Sequence, residues 1–544
     1  MNATIRKGLY WLDSKNATIT VIIFSILNKV IYVLLTSSVG RDKLLQLSVT
    51  ENIISGNGIG VFKYYTHDIY TPVFDKVVEF PPGYSYIMIP FVQLFNHDYY
   101  AASAAYDIII AIFLLFVLRW ICRLSGFSAY MTNLFTIIYG CFQYIYFSTA
   151  APTDATGLLL VFFGIGVIIK LAQKNKKLTT LQFLLVGLLF FSPTFFRFMY
   201  LPISFLLPGL LILFGYKRSN RQMMKQGSFL FLLTALFIAI MILSLRTYSG
   251  YGMPQYPIER GFFPSNILRW YPFIPASFIN LDFVSVQIEK LSNLKYQNVF
   301  VLFELLNILL FIFLTLLIYQ TLKQIDTTVS FKIFILSGSV ISMVILLSLL
   351  YSSLTYTSKA RDSGAWTFVY EERHFGFIYL FLQIAFLGWL YFFGRYRGTI
   401  ILRRIVFSLL AFLVIIECAH GFYYNVKSIF NYKKEKIFQN HDADYRAFDK
   451  ICSDLKQKNP DTEVLVASQD WFFCQKAVLS GTKGIYDALS LNNNTILVKR
   501  KSILLVIIPE DRLVAMNKYI NEKKPTLLSS VLGTGFYLQE INPQ

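Results

Sequence analysis

Runs of roughly 20 apolar residues recur through this chain, each about the length a helix needs to cross a hydrocarbon core. They lie near 17–39, 101–118, 128–148, 155–170, 179–194, 198–215, 226–246, 298–321, 331–351, 374–393 and 400–421. Backbone inside a bilayer must satisfy its own hydrogen bonds, so such runs predict helices. With 55% of its residues hydrophobic and 17% aromatic, the chain has too little polar surface for a soluble protein of 544 residues. The expected fold is an all-α polytopic membrane protein of about eleven spans.

The formal charge of +19 would suggest nucleic acid in a soluble protein, but no nucleic-acid motif accompanies it. The basic residues gather instead in alternate loops: Arg119 and Arg123; Lys170, Lys174, Lys176 and Lys177; Lys217, Arg218, Arg221 and Lys225; Lys323 and Lys332; Arg395, Arg397, Arg403 and Arg404. The other loops mix signs. This is the positive-inside pattern, and it predicts a cytoplasmic N-terminus and an extracytoplasmic C-terminal region. The first apolar run is long and lacks a small-residue cleavage site, so it is expected to stay as an anchor. The expected location is a bacterial inner membrane.

Three outer segments are long: 40–100, 247–297 and everything after about 425. The first follows the first span directly and carries Arg41 to Pro82, with Asp42 near its start, a helical patch from Leu44 to Ile54, glycines and then Glu79-Phe80-Pro81-Pro82-Gly83. The patch predicts a helix along the bilayer surface. Tyr84 to Phe95 is apolar but short, which fits an interfacial or re-entrant helix. The second segment, rich in Tyr, Phe, Trp and Pro, fits a loop at headgroup level. The domains read as 1–424, the membrane part with loop 40–100, and 425–544. In the latter, strand-like runs at Glu463 to Ser468, Ser502 to Ile508 and Phe536 to Ile541, with a helical stretch from Asp511 to Lys523, predict a small α/β domain. It has no phosphate-binding glycine loop. Cys452 and Cys474 both fall there, and their spacing leaves open whether they pair.

Ionisable groups near a membrane face are costly unless paired or hydrated, so they are the candidates for chemistry. Asp42, just past the first span, is placed to accept a proton. Asp154 opens an apolar helix after Pro152-Thr153, where a carboxylate also suits the positive end of the helix dipole. Glu79 is held before the turn that Pro81 and Pro82 impose. Arg197 lies between two apolar runs and needs an anion, while Arg373 follows Glu371 and Glu372 at the start of a late span. Arginine grips phosphate oxygens bidentately, so Arg197 and Arg373 are candidate phosphate ligands, and either also suits pairing with acids or lipid phosphate.

An acid after the first span, a long first outer loop closed by Pro-Pro, a second acid at Asp154 and the Glu372-Arg373 pair together resemble the GT-C fold glycosyltransferases. The nearest group is that of the lipid A aminoarabinose transferases and protein O-mannosyltransferases. The resemblance implies a membrane enzyme that takes a sugar from a polyprenyl-phosphate donor and passes it, with inversion, to an extracytoplasmic acceptor. It implies catalytic roles for Asp42, Asp154 and Glu79 and substrate contacts for Glu372, Arg373, Pro81 and Pro82, to which the phosphate-ligand reading of Arg197 adds a further substrate contact. Partners would be the lipid-linked donor, a lipid, glycan or protein acceptor, and membrane lipid, with no nucleic acid. No cofactor is implied with certainty, and the loop acids leave room for a divalent metal ion. Two departures stand out: Phe80 occupies a position where aminoarabinose transferases tend to carry lysine, and Arg41 and Lys43 flank Asp42, so Glu79 or Asp75 is an alternative base. A transporter or flippase of lipid-linked sugars is the alternative function, although such proteins concentrate polar groups at the midplane.

Overall fold

The computed structural model describes residues 11–36, 41–65, 72–75, 81–142, 152–174, 178–248, 262, 271–292, 296–323, 327–355, 372–393, 401–435, 443–468, 470–486, 491, 496, 498–531 and 533–542. The first half of the membrane part runs α1 (Lys15–Thr36), α2 (Arg41–Ile54), the hairpin β1 (Val61–Tyr65) and β2 (Pro72–Asp75), α3 (Gly83–Leu94), α4 (Tyr99–Leu124), α5 (Ala129–Cys141), α6 (Pro152–Lys174), α7 (Thr180–Phe196), α8 (Leu201–Lys217) and α9 (Arg221–Tyr248). The second half adds α10 (Phe273–Ala276), α11 (Leu281–Ser292), α12 (Tyr296–Lys323), α13 (Val329–Thr355), α14 (Gly376–Phe393) and α15 (Ile401–Glu435).

Over their described residues the eleven apolar runs fall mainly on helices, and the helix in the run 128–148 is described only over Ala129–Cys141. Among the described residues, α1, α4, α6, α8, α9, α12, α13 and α15 are long and apolar enough to cross a membrane, and α7 and α14 are apolar but shorter. The chain is an integral membrane protein. Helix starts carry local signals: Asp98 accepts from the amides of Tyr100 and Ala101, Ser128 from Met131, and Thr179 with Gln182 forms a capping box. Close packing between helices uses small residues, as lipid-facing bundles do. Gly140 sits on Ser25 of α1, Gly166 on Trp120 of α4, and Gly215 and Gly227 let α8 and α9 touch.

The C-terminal unit consists of α16 (Ala443–Lys458), β3 (Glu463–Ser468), α17 (Trp471–Leu479), β4 (Lys483–Tyr486), β5 (Ser502–Pro509), α18 (Asn517–Lys523), β6 (Thr526–Val531) and β7 (Thr534–Ile541). Its five-stranded sheet has the order β4-β3-β5-β7-β6, parallel over β4-β3-β5 and antiparallel over β5-β7-β6. β5 is buried along nearly its whole length, which accounts for the unbroken run Ile503 to Ile508. β4 and β6 have weak sequence patterns, the latter because it is a largely exposed strand at the sheet edge. The stretch Asp511 to Lys523 is helical in pieces, two 3₁₀ turns followed by α18. Cys452 and Cys474 are separate buried thiols. Burial pushes the Cys452 thiol up to about 12, and the Cys474 Sγ donates to the Ile485 carbonyl at 3.3 Å.

This unit is packed onto the membrane part rather than tethered to it. Phe448, Phe473, Ala477 and Phe536 belong to the same apolar cluster as α3, α4 and α6. At the junction the fully buried Ser48 donates to Gln475 at 2.7 Å. Tyr100 donates to Asp449, which also holds the buried Lys476 at 2.8 Å, and the cationic groups of Lys476 and Arg446 lie over the Tyr100 ring. The helix expected from Leu44 to Ile54 is present as part of α2, and it is covered by protein. Residues 43–50 of α2 are all buried, between α3, α4 and α17, where Lys43, Ser48 and Thr50 donate to Asp107, Gln475 and the Ser85 carbonyl, while the Gln46 side chain has no partner among the described residues.

Candidate active site

Asp154 stands in the first turn of α6, and Arg197 in the extended residue between α7 and α8. An Arg197 Nη and an Asp154 Oδ are 2.5 Å apart, with both side chains largely buried. The two residues that the sequence offered as a catalytic acid and a separate phosphate ligand thus form one ion pair. Tyr200 closes over α6 beside them, and Gly157, one turn beyond Asp154, is what lets it: a methyl there would collide with the ring.

A second pair lies in the same region. Lys43, fully buried in α2, donates to Asp107 of α4 at 2.8 Å. The residue before Asp107, Tyr106, shares a 2.7 Å hydrogen bond with Thr156, two residues past Asp154. Tyr84 of α3 meets the Tyr106 ring edge-on at 5.3 Å. Burial, and then the Asp107 carboxylate, push the Tyr84 hydroxyl well above its ordinary value, so it stays a neutral group. α2, α3, α4, α6 and the α7–α8 junction therefore converge around two cations and two carboxylates.

Pro81 and Pro82 are buried and lead directly into α3. Gly83 lies against the Phe195 carbonyl, two residues from Arg197, and Tyr86 stacks on the Phe195 ring at 6.4 Å. The Pro-Pro turn is thereby set beside the Asp154–Arg197 pair. Since an added methyl would strike the Phe195 backbone, Gly83→Ala is expected to destabilise the protein by about 1–3 kcal/mol. A thermal unfolding midpoint equal to the parent's would refute this packing.

Asp42 occupies the first turn of α2, half-buried, next to Lys43. Glu79 and Phe80 lie outside the described residues. Glu372 and Arg373 fall in the 3₁₀ turn Glu372–Phe375 that precedes α14. That turn belongs to the same end of the bundle: Gly376 touches Leu158 of α6, Phe377 stacks on Phe162 at 4.8 Å, and Phe375 stacks on Phe273 at 5.3 Å.

Lys43 and Asp107 were not among the sequence candidates. A signal existed for Asp107, since a carboxylate inside the run Ala104-Ala105-Tyr106-Asp107-Ile108-Ile109 is rare in a spanning helix without a role. A third cluster was also missed. Glu51 accepts from Tyr99 at 2.7 Å and contacts His97 at 3.0 Å, and Asn96 and His97 take left-handed backbone angles. Among the described residues no group of three His, Cys, Asp or Glu is arranged to hold a metal ion.

No family model matches the sequence, and no curated protein matches it. Solved structures do. The crystal structure of ArnT from Cupriavidus metallidurans bound to undecaprenyl phosphate superposes with a TM-score of 0.53 over 96% of this chain and 98% of that one, at 10% identity. The apo form of the same enzyme gives a TM-score of 0.53 at 11% identity, with the same coverage. A likeness that spans both chains almost end to end, at such low identity, is one of fold, and the fold of this chain is the GT-C fold of the ArnT type.

Proposed function

We propose that the protein is a membrane glycosyltransferase that moves a sugar from a polyprenyl-phosphate donor to an acceptor hydroxyl at the extracytoplasmic face, with inversion. The observation that carries this reading is the buried Asp154–Arg197 pair beside the Pro81-Pro82 turn, joined through Thr156 and Tyr106 to Lys43–Asp107. In a fold shared with a transferase that binds undecaprenyl phosphate, such a cluster suits the handling of a lipid-linked anionic leaving group.

The chemistry assigns each residue one task. Arg197, oriented by Asp154, stabilises negative charge as it grows on the departing phosphate, and Arg373 assists from the turn before α14, with Glu372 as its neighbour. Asp42, the half-buried carboxylate in the first turn of α2, takes the proton from the acceptor hydroxyl. Glu79 is the alternative base. Pro81 and Pro82 hold the loop against α7. One displacement without an enzyme-bound sugar inverts the anomeric centre, and a trapped glycosyl-enzyme would overturn that step.

The test is to incubate purified protein with a panel of polyprenyl-phosphate sugars, with and without acceptors, and to follow release of the lipid phosphate. Release that depends on an acceptor is the expected result. Asp42→Asn is expected to slow it by about 10²–10⁴. Transport of an intact lipid-linked sugar without release would favour the flippase reading instead.

A further inference from the structure

The end of the bundle opposite the candidate site carries a second feature. α6 carries Asp154 in its first turn and passes Ala172 near its far end, where the Ala172 carbonyl accepts from Arg218 at 2.7 Å. Arg218 and Asn220 make the turn between α8 and α9, and the Asn220 side chain caps the amide of Met223. On the first three turns of α9, Arg221, Met224, Lys225, Ser228, Phe229 and Leu232 line a shallow, open groove of about 350 Å³ along the face of that one helix.

The order of these residues along the helix follows the profile of a phospholipid. Arg221 and Lys225, one turn apart, lie at the membrane face, Ser228 supplies a hydroxyl one turn deeper, and Phe229 and Leu232 follow at 64% and 65% exposed. At 1.5 Å per residue, Arg221 to Leu232 covers about 16 Å, the depth from phosphate to mid-acyl chain. Among the described residues the exposed apolar part is little covered: Phe229 meets Phe183 edge-on at 6.5 Å, and α9 faces outward along most of its length.

Charge selects the occupant. No Asp or Glu occurs in the sequence between Asp154 and Glu259, so α6, α7, α8 and α9 offer these cations no carboxylate beyond Asp154, which sits at the other end. Among the described residues neither Arg221 nor Lys225 makes an ion pair. A zwitterionic lipid brings its own ammonium to its phosphate, whereas an anionic one leaves a net negative charge for the two side chains to share.

We propose that this groove is a binding site for one anionic glycerophospholipid. Its phosphate bridges Arg221 and Lys225, its ester region meets Ser228, and one acyl chain lies along Phe229 and Leu232 against Met224. The site is independent of the transferase reading, since it lies at the opposite membrane face and uses none of the same residues.

Native mass spectrometry of the full chain, released from detergent with phosphatidylglycerol or phosphatidylcholine, tests it. One phosphatidylglycerol is expected to be retained about 30-fold more tightly than phosphatidylcholine, which corresponds to about 2 kcal/mol from two interfacial cations. The Arg221→Gln/Lys225→Gln variant should bind both lipids alike while keeping its unfolding temperature. Ser228→Trp, which fills the groove and leaves the charges, should also lose the retained lipid. Equal binding of the two lipids by the parent, undiminished phosphatidylglycerol binding in either variant, or displacement of the lipid by an equal concentration of inorganic phosphate would each overturn the proposal.

Discussion

Lys43→Met is expected to destabilise the protein by about 3–5 kcal/mol, because it strips Asp107 of its partner inside a packed helix interface. The ammonium has no solvent contact, so the pair is little screened and the loss is not made good by water. The companion variant decides the cause. Lys43→Met/Asp107→Leu removes both charges, and replacing a buried pair by apolar groups is often neutral or favourable. The double variant should therefore recover most of the thermal midpoint lost by Lys43→Met. A Lys43→Met variant as stable as the parent, or a double variant less stable than Lys43→Met, would rule out this pair as a mutual neutraliser. Because Lys43 adjoins Asp42, the same series shows whether the pair also sets the first turn of α2: a stable double variant with slow lipid-phosphate release would mean that it does.

Arg197→Met should lower the rate of lipid-phosphate release by about 10²–10³, the usual loss when one preorganised group facing a developing anion is removed. Arg197→Lys keeps a charge without the planar fork and should fall between the parent and Arg197→Met. Asp154→Asn is expected to give a similar loss, since an amide no longer orients or balances the guanidinium at 2.5 Å. The two residues act as one unit on this view, so Asp154→Asn/Arg197→Met should be no slower than the slower single variant. Multiplicative losses would mean that Asp154 and Arg197 act separately, as the sequence alone suggests.

Those two pairs also mark how far the sequence could be read. Asp154 after Pro152-Thr153 was recognisable as a helix-opening acid, and Arg197 between two apolar runs as a cation in need of an anion. Nothing in either segment says that each is the other's partner. Lys43 looked like a disturbance beside Asp42, and the structure turns it inward to Asp107, 64 residues away. Asp107 itself was hidden in a run counted only for its hydropathy. The C-terminal unit was legible through its strands β3, β5 and β7, whose apolar runs are local, but its seating on α2 was not.

Hydropathy and charge alternation are properties of neighbouring residues, so the chain's composition and order alone establish a membrane protein of many helices with a small α/β appendage. They also predict that Asp42, Asp154, Arg197 and Glu372-Arg373 lie at one face, because alternating spans return to the same side. Which cation meets which carboxylate, and that Gln475 reaches across 427 residues to grip Ser48 in the helix that carries Asp42, depends on how helices pack in three dimensions. A buried charge is stable only against a specific partner at about 3 Å, and no local pattern encodes a distance between segments that meet only after folding.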